Sequence, residues 1–261
     1  MTAPTLTWLY VPADRPDRVV KAIASRAHAV IVDLEDGVAA PAKAEARANL
    51  PDLFRTPREK PVYVRVNAGD ADDLVAVADL PLAGVFVPKV ERPEDVPELD
   101  HVHAMVESAR GVEAAFEIAS HRSVRGISLG EADLGSQTGA LEGGLDYARS
   151  RIVNAAVAAG LPRPPQSVYM NVRDLEGLAR SCRRGRELGH LGRSAIHPDQ
   201  LEVIEQAYLP TRAEVDVARA TVAKLEGEGV GEVSGGLFVD AALAGSARMT
   251  LALADAYGVA S

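Results

Sequence analysis

The chain has 261 residues, with 28 Lys and Arg against 37 Asp and Glu, a formal net charge of −9, and 47% apolar residues. This balance excludes a disordered or collagen-like chain, and the length suits one large domain of the size that α/β barrels reach. The acidic surplus argues against nucleic acid or anionic lipid as the main partner, while a local basic patch remains able to hold a phosphate.

The N-terminus, MTAPTLTWLYVPADRP, lacks the cationic start and long apolar core of a signal peptide. No later run reaches the ~18–20 apolar residues of a membrane span, so a cytoplasmic protein is expected. The first strand is predicted at Leu6–Val11 and is followed by a helix over Pro16–Arg26, which starts on a proline. Strands follow at Ala29–Leu34 and Val62–Asn67, with a helix at Pro41–Leu50 between them. Gly84–Pro88, Val102–Glu107 and Gly126–Leu129 are the next three strands, and Arg110–Ser120 is a helix. Runs such as AVIVDL, VYVRV and GVFVP are apolar nearly throughout, the pattern of strands covered on both faces of a parallel sheet. Beyond them come a helix at Leu145–Ala159, a strand at Val168–Asn171, a helix at Asp174–Leu188, a strand at Ser194–Ile196 and a helix at Pro198–Ala207. Cys182 is the only cysteine, which excludes a disulfide within the chain and a thiolate metal cluster.

Strands and helices alternating in this way predict a closed (β/α)8 barrel over residues 1–210, with a doubly wound open sheet as the alternative. After Pro210 a helix, Thr211–Glu226, runs into EGEGVGEVSGG, where glycines 227, 229, 231, 235 and 236 predict a mobile arm before a last helix from about Ala241. Residues 211–261 are thus expected to form a helical extension, packed on the barrel or on a neighbouring subunit.

Barrel chemistry gathers at the C-terminal ends of the strands, where the βα loops converge. Glu107 and Asp133 end two adjacent strands with no His or Cys beside them, a ligand set suited to Mg²⁺ or Mn²⁺ completed by water and substrate oxygens. Each has a plainer reading, as a helix cap or turn residue. Arg65 sits inside an apolar strand and must find an anion. That anion is either a substrate carboxylate or a structural partner, Asp33 or Glu35. Asp33, Glu35 and Asp36 of the DLED segment read as an outer set of carboxylates orienting metal-bound water, or as a solvated loop. His197, before a proline, is a general base or a structural residue. Arg15, Arg18 and Lys21 are either a phosphate-binding group or an ordinary helix surface.

The segments LYVPADRPDRVVKAI, AVIVDLEDGVAAPAKAEAR, VYVRVN, GVFVPKVE, AMVESARGV, GEADLGSQTG, YARSRIVNAA, AIHPDQL and GLFVDAALA occur in that order from about Leu9 to Leu251. Together they resemble the citrate lyase β-subunit-like proteins of the HpcH/HpaI aldolase superfamily, which includes malyl-CoA and citramalyl-CoA lyases. The resemblance implies a TIM barrel assembled as a homotrimer or hexamer, with the C-terminal helix on a neighbour. It implies Mg²⁺ held by Glu107 and Asp133, a substrate carboxylate on Arg65, and further substrate contacts from Glu107, Ile196 and His197. CoA contacts fall on Tyr10, Arg15 and Arg18, and a catalytic aspartate carried on a lid from the adjacent subunit falls on Asp240. The implied activity is cleavage or formation of a β-hydroxyacyl-CoA thioester, giving a keto acid and acetyl-CoA. Alternatives are a subunit of a citrate lyase-like complex acting on a carrier protein, an aldolase acting on free hydroxy acids, and a non-catalytic scaffold. Three positions depart from the family pattern. Ala132-Asp133-Leu134 replaces Glu-Asp-Leu, with Glu131 one place earlier. Asn171 stands where an aspartate is usual, and no proline follows Asp240.

Overall fold

The computed structural model describes residues 4–55, 59–227, 231–233 and 237–259. Two compact units divide them, Thr5–Ala207 and a smaller one formed by Pro4 with the chain from Tyr208 onward.

The larger unit is α/β. Its strands are β1 (Thr7–Pro12), β2 (Ala29–Asp33), β3 (Val62–Arg65), β4 (Gly84–Val87), β5 (Val102–Val106), β6 (Val124–Leu129) and β7 (Arg193–Ala195). They form one parallel sheet in the order β6-β5-β4-β3-β2-β1-β7. Helices α1 (Pro16–Ala24), α2 (Lys43–Ala48), α3 (Leu50–Leu53), α4 (Ala71–Ala78), α5 (Ala109–Glu113) and α6 (Ala115–Ala119) lie between the first six strands. After β6 come α7 (Glu131–Thr138), α8 (Asp146–Ala158), α9 (Leu175–Glu187) and, beyond β7, α10 (Gln200–Tyr208).

The sheet is strongly curled. Strands β1 and β5 are four places apart in the order, which in a flat sheet separates them by roughly 19 Å. Yet the Trp8 and His103 rings on these strands lie 5.9 Å apart, and the Tyr10 hydroxyl donates to Met105 Sδ at 3.7 Å. Alternate residues build this concave side: Trp8 and Tyr10, Ile31, Tyr63, Phe86, His103 and Met105 pack together. His103 stacks on Phe86 at 4.0 Å, and Gly126 makes room for it, since a Cβ there would come within 2.5 Å of Nδ1. The residues between them, including Leu9, Val30, Val32, Val64, Val85 and Ala104, are buried on the opposite face. A sheet covered on both sides accounts for the unbroken apolar runs.

Three expectations need correction. No strand forms at Val168–Asn171. The pairing point moves back to Gln166, which bridges Arg193 of β7 in parallel. Pro164 and Pro165 supply no N–H for a ladder, and the Tyr169 carbonyl accepts instead from Gln200 Nε2 at 2.8 Å. Second, the helices expected at Pro41–Leu50 and Arg110–Ser120 are each broken into short pieces. Third, α4 and α7 occupy stretches the sequence left without a helix. The Asp70 carboxylate caps α4, accepting from the N–H groups of Asp72 and Asp73.

In the smaller unit α11 (Arg212–Gly227) packs against α12 (Ala244–Tyr257), and β8 (Gly231–Val233) pairs antiparallel with β9 (Leu237–Val239). The glycine-rich stretch thus contains a short hairpin. Gly231 lies in it and Gly227 ends α11, whereas Gly229, Gly235 and Gly236 fall outside the described residues. No helix among the described residues is long and apolar enough to cross a membrane.

Candidate active site

The concave side changes character along β2, β3 and β5. It is aromatic where the strands begin and polar where they end, because the same period of two carries Tyr63 to Arg65, Ile31 to Asp33 and Met105 to Glu107. A cavity of about 380 Å³ opens at this polar end. Its walls include Tyr10, Asp33, Asp36, Arg65, Glu107, Ser128, Gly130, Asp133, Ser167, Met170, Ser194 and Ile196.

Asp33 and Arg65 are register partners on β2 and β3, so their side chains leave the sheet together. Arg65 forks onto Asp33, with Nε to Oδ1 at 2.7 Å and Nη2 to Oδ2 at 2.6 Å, and its Nη1 meets Glu35 Oε2 at 2.8 Å. All three side chains are largely buried. This is the structural pairing that the sequence left open, and the guanidinium lines the cavity at the same time. Two of its five N–H groups are hydrogen-bonded to Asp33, and its Nη1 faces Glu35 as an ion pair. The Tyr10 ring lies under the guanidinium, 5.0 Å from its carbon. Burial pushes the Tyr10 hydroxyl well above its ordinary range.

Glu107 follows β5 and is buried. The backbone N–H of Lys89 donates to its Oε2 at 2.9 Å, and its other oxygen lies against Gly130, where any Cβ would collide with it. Lys89 reaches this position with φ of 57°, a left-handed conformation rare for a residue with a side chain, and its ammonium pairs with Glu35 at 3.2 Å. Burial pushes the Glu107 carboxyl up to about 7, with Glu35 and Asp133 adding to the shift and the Lys89 N–H and Arg65 opposing it.

Asp133 projects from the first turn of α7, which follows β6 directly. The other acid of that turn, Glu131, is occupied by Arg149 of α8 through Nε at 3.0 Å and Nη2 at 2.5 Å. Glu107, Asp133 and Asp36 of the cavity wall are left without an arginine or lysine ion pair among the described residues, and Glu107 and Asp133 are the pair expected to hold a cation. The site carries Asp33, Glu35, Asp36, Glu107 and Asp133 against Arg65 and Lys89, a surplus of negative charge. Oxygen donors with excess charge fit a hard divalent cation. Among the described residues no group of three or more His, Cys, Asp or Glu is placed to hold a metal ion, so water and substrate oxygens would complete the coordination shell.

The other expected residues divide. Ile196 and Asp36 line the cavity, and Glu35 reaches it through Arg65. His197 does not line it: its ring accepts from the Asp199 N–H at 3.2 Å and faces Asp199 Oδ2 at 3.5 Å. Arg15 and Arg18 are exposed near the start of α1, where Arg15 meets Asp17 at 3.7 Å. Asp240 belongs to the smaller unit, where it is exposed and accepts from the Ala242 N–H at 2.9 Å. Lys89 was marked in the sequence only as the charged end of the fourth strand, and Arg149, Gly130 and the serines 128, 167 and 194 were not singled out.

Known proteins share this arrangement of elements. The HpcH/HpaI aldolase/citrate lyase family matches residues 6–105 and 100–198. A (3S)-malyl-CoA thioesterase of Cereibacter sphaeroides is 35% identical over 278 residues, covering 95% of this chain and 94% of its own. A citrate lyase subunit beta-like protein of Mycobacterium tuberculosis is 38% identical over 236 residues, 85% of each chain. The crystal structure of CitE from M. tuberculosis in complex with magnesium, acetoacetate and coenzyme A superposes with a TM-score of 0.85 at 35% identity, covering 98% of this chain and 100% of the other. The chain is a member of the HpcH/HpaI aldolase/citrate lyase family.

Proposed function

We propose that this protein is a Mg²⁺-dependent carbon–carbon lyase, cleaving or forming a β-hydroxyacyl-CoA thioester to give a keto acid and acetyl-CoA. The larger unit acts as a (β/α)8 barrel, and the smaller one as a C-terminal extension that serves a homotrimer or hexamer. The observation that carries this reading is the convergence of Glu107, Asp133 and Arg65 on one cavity at the C-terminal ends of the strands. The magnesium, acetoacetate and coenzyme A of the related M. tuberculosis structure support it.

Glu107 and Asp133 would hold Mg²⁺, or Mn²⁺, which when bound acidifies a substrate hydroxyl and stabilises the carbonyl that replaces it. Arg65, already oriented by Asp33 and Glu35, offers its guanidinium to the substrate carboxylate and aligns the bond to be broken. In cleavage the hydroxyl gives its proton to solvent water and becomes the keto carbonyl. The C–C electrons pass to the thioester α-carbon, and Asp240, carried on the lid of an adjacent subunit, returns a proton there to give acetyl-CoA. In condensation Asp240 removes that proton. Ile196 lines the acyl pocket with His197 beside it, while Tyr10, Arg15 and Arg18 form the CoA side. Asp36, with Asp33 and Glu35, orients water around the cation.

A second reading is hydrolysis of the thioester, favoured by the malyl-CoA thioesterase relative. One experiment separates the two. Purified protein is incubated with Mg²⁺ and a panel of malyl-, citramalyl-, 3-hydroxy-3-methylglutaryl- and citryl-CoA, and products are followed by mass spectrometry with EDTA and Glu107→Ala controls. Metal-dependent release of acetyl-CoA with a keto acid supports the lyase. Release of free CoA with the intact hydroxy acid supports the hydrolase. Silence across the panel moves the reading to a carrier-protein-dependent subunit or a scaffold.

A further inference from the structure

Arg149 is among the largest fully buried side chains of the protein, yet it lies outside the cavity wall. It projects from α8 and is 2% exposed. Its Nε and Nη2 fork onto Glu131, and its Nη1 meets the Glu142 carbonyl at 3.2 Å, Glu142 Oε1 at 3.0 Å and Asp146 Oδ1 at 3.1 Å. Asp146 is held in turn by Arg184 at 2.7 Å. One guanidinium thus ties the first residue of α7, the turn after that helix and the first turn of α8.

Besides the Gly130 N–H bond to the Val106 carbonyl at 2.8 Å and the buried Leu134, the head of α7 has no side-chain cap. Gly130 stands at its N-cap and offers no side-chain oxygen, and the Glu131 N–H reaches Ser167 Oγ only at 3.3 Å. Glu131, Ala132 and Asp133 nevertheless form part of the cavity wall. A fork between a planar guanidinium and a carboxylate fixes orientation as well as distance. Inside the protein, removing the guanidinium leaves Glu131 without this partner, so the turn must rearrange.

We infer that Arg149 is a positioning residue: by clamping Glu131 it sets the first turn of α7 so that Asp133 faces Glu107 across the cavity, and it withholds Glu131 from the cation. This gives the glutamate at 131, one place earlier than the family pattern, a role as an anchor rather than a ligand. The inference rests on the reading of Glu107 and Asp133 as the cation ligands.

The test uses Mn²⁺ as the probe. Its affinity is read from the electron paramagnetic resonance signal of the free ion, alongside hydrogen–deuterium exchange of the amides at 131–135 and thermal unfolding. The variants are Arg149→Met, Arg149→Lys and Glu131→Gln. Ile152→Ala, buried on the same helix, is the control for simple loss of packing. Wild type binds Mn²⁺, and each clamp variant weakens binding at least tenfold and speeds exchange in the first turn of α7. The Arg149→Lys/Glu131→Gln pair is no worse than its singles, since both remove one interaction. Ile152→Ala lowers the melting temperature but leaves Mn²⁺ affinity within twofold. Should Arg149→Met not fold, Arg149→Lys and Glu131→Gln carry the test. Wild-type affinity in the clamp variants, or equal weakening by Ile152→Ala, overturns the positioning role alone. A wild-type protein that binds no Mn²⁺ overturns the cation reading, and the positioning role falls with it.

Discussion

With Glu107 as a cation ligand, as proposed, a divalent cation binding near neutral pH must first displace a proton from it, and that sets a measurable pH dependence. The Glu107 carboxyl is pushed up to about 7 by burial and by the neighbouring Glu35 and Asp133. Only its ionised form is a ligand. Roughly nine molecules in ten carry that form at pH 8, and about one in eleven at pH 6. Mg²⁺ affinity therefore falls about tenfold between pH 8 and pH 6. Stability follows the same linkage. A carboxyl raised by folding ionises earlier in the unfolded chain, so the cation-free protein loses stability as the pH climbs from the ordinary carboxylate range to about 7 and no further. That loss is on the order of 3 kcal/mol. Mg²⁺ offsets it, and its stabilising shift in Tm is larger at pH 8 than at pH 6. Isothermal titration calorimetry across this range, repeated in buffers of different ionisation enthalpy, reads both the affinity and the proton released. Glu107→Gln binds more weakly and shows a flat profile. Constant wild-type affinity between pH 6 and pH 8, or a Glu107→Gln profile with the wild-type slope, refutes the reasoning.

Gly130→Ala drives a Cβ into the Glu107 carboxylate, so Mg²⁺ affinity drops at least tenfold while the far-ultraviolet circular dichroism stays unchanged; calorimetry checks it. Arg65→Lys keeps the charge but cannot reproduce the fork onto Asp33 and the contact with Glu35. Denaturant unfolding should show a loss of about 2–4 kcal/mol, and steady-state kinetics a fall in kcat/KM of at least a hundredfold. His103 is held neutral by burial, its pKa lowered to about 3, so the unfolded chain takes up a proton below about pH 6.5 that the folded protein refuses. Stability relative to His103→Leu therefore falls by about 1 kcal/mol for each pH unit below 6, measured by urea unfolding of both proteins at pH 6, 5 and 4.5.

How much of this was written in the sequence depends on whether the signal is local. The strands were legible because a sheet buried on both faces demands continuous apolar runs, and AVIVD and GVFV supply them. The candidate carboxylates Glu107 and Asp133 were legible because each ends or follows such a run. The direction of a side chain was less so. Ile196 and His197 are neighbours read as one unit, but successive residues of an extended chain point to opposite sides, and Ile196 alone lines the cavity. Arg149 left no local sign. In YARSRIVNAA it reads as one more charge on a helix, and its burial exists only once α7 and the turn after it fold over it. The left-handed backbone of Lys89 has no marker either, since φ above zero is foreseen at glycine or asparagine.

The order of strands in the sheet also dictates a schedule for the nascent chain. From β1 to β6 each new strand pairs with the one just made, so five pairings can form in turn as synthesis proceeds. The other side of β1 has to wait, because Thr7, Trp8 and Leu9 pair there with Arg193, Ser194 and Ala195. Until that distant segment leaves the ribosome, the first strand made keeps a row of backbone donors and acceptors open beside the buried residue Leu9. Closing the longest loop last makes the return of β7 the slow step of folding, and the waiting edge of β1 the place where a chaperone, or a second unfinished chain, would attach.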